Sequence, residues 1–190
     1  KFQPDLVWIK RRNSTGNNEL YDSVRGEHKV LQSDNTSTEY NYSTTGVTDF
    51  NSNGFSVAGT AGNHNVSGGT FVAWCFNAGS GSSASNTDGS ITSTVKANTD
   101  AGFSIVKWTG TSGEHSVGHG LGVKPSVVLI KPLGTNHWHW YTDIIDGSMD
   151  LLYLDLTNAE SGASANFWNN TSPTTSVFSI ASAFSSNAQI

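Results

Sequence analysis

The chain has 190 residues and a formal charge of -5, with charged side chains making up 13% against ~25% in an average globular protein. Basic residues are dense only in "KRR" at 10–12, which excludes the basic stripe that a nucleic-acid backbone requires. No apolar run approaches the ~20 residues of a membrane helix, while six Trp, nine Phe and five Tyr supply core area that a disordered chain lacks.

Taken in chain order, β-branched residues and period-2 alternation predict strands over 5–10, 20–24, 29–32, 54–57 and 70–76. A small, polar, glycine-rich stretch, "NAGSGSSASNTDG", follows as a linker. Further strands are predicted over 91–96, 103–109, 126–131, 138–145, 151–156 and 176–180. Turn signals separate them: "NSNG" at Asn51, "NTDAG" at Asn98, "GTSG" at Gly110 and "PLGTN" at Pro132. "NAESGASANFW" at Asn158 is too rich in glycine and serine for more than a helical turn. Many short strands with frequent turns read as an all-β, antiparallel β-sandwich of jelly-roll or concanavalin-like type, with a closed barrel as the alternative. Alternation places Leu6, Trp8, Val72, Trp74, Phe103, Ile105, Val127 and Leu129 in the core. Cys75, the lone cysteine, sits in "TFVAWCF" as a small apolar side chain and rules out an internal disulfide framework.

The phrase "PDLVWIK" at Pro4 returns as "PSVVLIK" at Pro125, a shift of 121. The same shift carries Asp22 to Asp143, Gly26 to Gly147, Leu31 to Leu152 and Asp34 to Asp155, and "GFSVA" at Gly54 meets "VFSIA" at Val177. A match this long marks a duplicated unit. The expected organisation is a first unit over 1–77, a linker over 78–89 and a second unit over 90–190. Each copy keeps a piece that the other lacks: "GFSIVKWTG" precedes only the second, and "TFVAWCF" closes only the first. With neither an initiating methionine nor a signal-like apolar stretch at Lys1, the chain reads as part of a longer tandem array. Strand edges exposed by the missing pieces, beside 103–109 or beside 176–180, are expected to be covered by another chain.

"FQPDLVWIK…LYDSVRG", "FNSNGFSV…TFVAWCF", "GFSIVKWTG" and "VGHGLGVKPSVVLIK" resemble a repeat of tail-fibre-like and lectin-like structural proteins of tailed bacteriophages, notably marine and cyanobacterial ones. The resemblance spans nearly the whole chain. It implies a β-sandwich on a virion surface, in a fibre or decorating a capsid, with other virion proteins or further copies of itself as partners and host surface glycan as a further one. It carries over no catalytic residue, and no cofactor is expected.

The second unit departs from this pattern at "HWHW". On a strand, His137, His139 and Tyr141 share one face while Trp138 and Trp140 share the other. Aromatic faces stack on sugars, making these five residues the candidate glycan site. The plainer alternative puts both Trp in the core and the histidines in water. Zinc would need further ligands, for which His115 and His119 are the nearest candidates, and no metal is expected. "GHGLG" at Gly118 lacks the lysine of a phosphate loop. A polysaccharide depolymerase would need two facing carboxylates, from among Asp143, Asp146, Asp150 and Asp155. Since Asp143 and Asp155 recur as Asp22 and Asp34, a role in the fold accounts for them more simply, and the expectation is a protein that is not an enzyme.

Overall fold

A computed structural model describes residues 1–60, 62–162 and 164–184; the segment "SSNAQI", where the sequence reading ends the second unit, lies outside the described residues. The described residues form an all-β, antiparallel fold with one five-residue α-helix.

In the first half, β1 (Leu6–Arg11), β2 (Glu19–Asp22), β3 (Lys29–Gln32) and β4 (Tyr40–Asn41) run as a meander, and β7 (Phe71–Phe76) returns to the outer edge of β1. The β1–β7 register runs from Leu6 opposite Phe76 to Arg11 opposite Phe71. Between them, β5 (Gly46–Asn51) and β6 (Gly54–Ala58) form a hairpin closed by the "NSNG" turn. One face of the sheet buries Val7, Ile9, Tyr21 and Val30 against Val47, Phe50 and Phe55 of that hairpin.

In the second half, β8 (Ala84–Asn86), β9 (Ser93–Asn98) and β10 (Phe103–Trp108) form a three-stranded sheet. The stretch expected as a linker therefore contributes a strand. β11 (His115–Gly118) pairs with β15 (Val177–Ile180), and β12 (Val127–Ile130), β13 (His139–Thr142) and β14 (Asp150–Tyr153) form a second meander. Helix α1 (Ser164–Trp168) and a 3-10 turn at Ser182–Phe184 cap it. Ile91, Trp108, Val117, Ile130, Tyr141, Leu151, Trp168 and Phe178 form one core.

The meanders β1-β2-β3 and β12-β13-β14 have the same order and direction. Leu6 faces Asp22 where Val127 faces Thr142, and Leu20 faces Leu31 where Trp140 faces Leu152. The structural shift is thus 121 for the outer strands and 120 for the middle one. Tyr21 corresponds to Tyr141, and Asp22 to Thr142 rather than to Asp143. The loop entering β13 is one residue shorter and the loop leaving it one longer, which keeps the inward set of the middle strand inward.

The expected core phase is reversed. Val127, Leu129 and Trp74 are 42%, 43% and 48% exposed, while Leu6, Trp8, Val72, Phe103 and Ile105 are half-buried. The tightly buried residues are their neighbours Val7, Ile9, Trp108 and Ile130. In "LVWIK" both alternating sets are apolar, so periodicity marks the strand without choosing its inner face. Both faces of the first sheet are in use, because Leu20 and Leu31 pack against Trp138 of the second half.

Candidate binding groove

The five residues proposed from "HWHW" do not share an open face. His137 places Nδ1 2.8 Å from an Asp155 oxygen and keeps a partly open ring. Trp138 is 5% exposed and donates from Nε1 to the Gln32 carbonyl of the other half at 2.7 Å. His139 points into the core rather than to water, with ring centroids 4.9 Å from Phe184, 5.1 Å from Phe167 and 5.3 Å from Tyr153. Burial, assisted by neighbouring His137, holds its pKa down at about 4. Trp140 is half-buried and Tyr141 is buried against Trp168. Trp138 therefore offers no ring face to a sugar, and the histidines are not the solvated set expected of the plainer reading.

The other candidates are separated as well. His115 bonds Thr111 at 2.9 Å, and His119 accepts the Leu121 amide at 3.1 Å. Among the described residues no group of three His, Cys, Asp or Glu could hold a metal ion. Asp143 pairs with Lys124 at 2.5 Å, Asp146 accepts the Ser148 amide at 2.8 Å, and buried Asp150 accepts the Ser148 hydroxyl at 2.9 Å. Asp155 and Asp34 do the same job in the two halves: Asp34 accepts the Asn18 amide at 3.1 Å and Asp155 the Trp138 amide at 3.0 Å. Each fixes the backbone entering the middle strand of its meander. The lysines ending the repeated phrase also act alike. Lys10 donates to the Gly16 carbonyl at 2.7 Å and Lys131 to that of Gly134 at 3.0 Å. The apolar phrase is expected to end with its lysine returning to solvent, but Lys131 is buried, and burial lowers its pKa to about 8.

One buried polar cluster has no counterpart in the sequence reading. Glu19 accepts from Tyr21 at 2.7 Å and Tyr42 at 3.2 Å, and lies 2.8 Å from Nδ1 of His64. The Gly46 amide donates to Nε2 of His64 at 3.1 Å, so the proton on Nδ1 faces the carboxylate. These bonds, with that of Asn63, outweigh burial and hold the Glu19 pKa below its ordinary value. Glu19 and His64 are sealed from solvent, so this is a polar strut tying β2 to the start of β5. The signal was a glutamate inside the strand "ELYD"; its partner lies 45 residues away.

An apolar groove of about 620 Å³ lies between the halves. Leu6 and Leu20 line it from the first sheet, Phe103 and Ile105 from β10, and Val127 and Leu129 from β12. Residues of four strands thus meet there, and the carboxylate among the lining residues, Asp22, is taken up by Arg25. Residues 1–190 match the sequence pattern of a family described as "Domain of unknown function (DUF7483)". The chain belongs to that family. Neither a curated protein nor a solved structure matches it. The alignable length agrees with the fold, in which the halves share a core contact through Trp138 and an ion pair from Lys96 to buried Asp5 at 2.6 Å.

Proposed function

We propose that this chain is a non-enzymatic structural module of a bacteriophage virion surface, of fibre or decoration type, that assembles with other chains. The phage assignment rests on the repeat phrases quoted above. The observation that carries the assembly role is the exposed apolar surface of Trp74, Phe76, Val127 and Leu129, which lies on the end strands β7 and β12. Exposed apolar side chains beside unpaired backbone edges are the surface that strand addition covers. Nearby carboxylates and imidazoles serve backbone entries, turns and struts. A map of the intact particle tests the reading: neighbouring density over these four side chains is expected. Bare, hydrated faces there, or absence of the chain from purified particles, would overturn it.

A second reading, host recognition by glycan stacking, draws on Trp74, which is 48% exposed. Its test is a glycan array in which Trp74→Ala abolishes binding and Trp138→Phe does not.

A further inference from the structure

Two end strands border the groove. β10 and β12 are each the last strand of a three-stranded sheet, in the orders β10-β9-β8 and β12-β13-β14. Both border the groove along their whole length. Val106 and Trp108 from β10 pack on the same core as Val128 and Ile130 from β12. The intervening residues, Phe103 and Ile105 on one side and Val127 and Leu129 on the other, all line the groove. Both end strands send alternate residues to the shared core and border one cavity, and among the described residues neither is paired on its second side.

The first half shows what fits such an edge. β1 corresponds to β12, and its second edge is covered antiparallel by β7. Among the described residues no strand pairs with the corresponding edge of β12. The covering strand is "FVAWCF", apolar on both faces: Phe71 and Cys75 pack with Val7 and Ile9, while Trp74 stands beside Trp8 at 5.8 Å. An occupant of the β12 edge faces the same demand, with a core beneath it and an apolar groove above.

We propose that the gap between β10 and β12 is a strand-acceptor site. It takes one extended segment of β7 composition from a separate polypeptide and joins the two three-stranded sheets into one. Hydrogen bonds to both edges supply affinity, and the alternating side chains set register. The proposal rests on the assembly reading but not on the virion one, so a peptide experiment and a particle map can fail separately.

The test uses the full chain and a synthetic peptide with the sequence of residues 69–77, carrying Cys75→Ser and a charged tail for solubility. Saturable binding in fluorescence anisotropy is expected, with new amide-exchange protection confined to β10 and β12. Leu129→Lys together with Ile105→Lys should weaken it about tenfold or more. If that variant does not fold, Ala73→Pro in the peptide, which deletes a backbone donor, should do the same against the unaltered protein. Absence of binding up to the peptide's solubility limit would overturn the proposal. So would protection at β4 instead, protection of β12 by self-association without peptide, or equal displacement by a simple alkyl detergent without amide protection.

Discussion

The two meanders put opposite chemistry at one position. Glu19 in β2 and His139 in β13 correspond under the structural shift of 120, and both point inward beside a buried tyrosine. Glu19 is a carboxylate held by His64, Tyr21 and Tyr42. His139 is an imidazole enclosed by Tyr153, Phe167 and Phe184. One centre keeps its charge because bonds offset desolvation; the other surrenders it because they are lacking. The shared frame is therefore the backbone order and its strand-entry aspartates, and the centre follows from what the surrounding elements supply.

The largest effect that separates the halves should come from Glu19→Ala. It strands the His64 proton and two tyrosine hydroxyls in the interior, with an expected loss of about 3–5 kcal/mol in urea denaturation. Glu19→Gln, which can still accept, should lose distinctly less. A comparable loss from both substitutions would show that the charge, not the bond set, governs this centre.

Acid should act on the second half first. The His139 pKa falls from 6.5 unfolded to about 4 folded, so across that interval the unfolded chain binds the extra proton. Stability is complete above pH 6.5 and declines toward pH 4, by at most about 3 kcal/mol. Glu19, also depressed, adds its share only below its unfolded value of 4.5. His139→Phe should flatten the decline between pH 6.5 and 4.5, as followed by denaturation midpoints.

Trp138→Phe tests the joint between the halves. It leaves the Gln32 carbonyl without its donor and should cost about 1–3 kcal/mol. Lys131→Met should have the smallest effect at neutral pH, within about 1 kcal/mol, because a desolvated ammonium adds little net stability. Its signature lies higher. The unfolded amine keeps its proton to 10.5 and the folded one to about 8, so wild-type stability rises with pH over that range, and the Met variant should lose the rise.

Much of this frame was legible. Strand 29–32 was placed at both ends, and the turn at Asn51 closes a hairpin. The first strand of that hairpin, Gly46–Asn51, was missed because "GVTDFN" alternates weakly around a bulge at Val47/Asp49. Strand His115–Gly118 was missed among glycine turns. The inner face of β1 was illegible because Leu6 and Trp8 are as apolar as Val7 and Ile9. Asp34 and Asp155 were read as serving the fold, and they bond strand-entry amides, whereas the lysine expected to reach solvent is buried at Lys131 and bonds a loop carbonyl. An exposed edge beside 103–109 was expected from the sequence, but the groove itself was not, because it depends on which sheet each of β10 and β12 ends.

Cys75 lies on β7 with its thiol turned toward Val7 and Ile9, and burial raises its pKa. Little thiolate is present at neutral pH and the sulfur is shielded by the sheet. The rate at which a thiol reagent modifies this single cysteine thus becomes a clock for how often β7 peels from β1. That clock reads the tenacity of a bound strand on the half of the molecule that already has one.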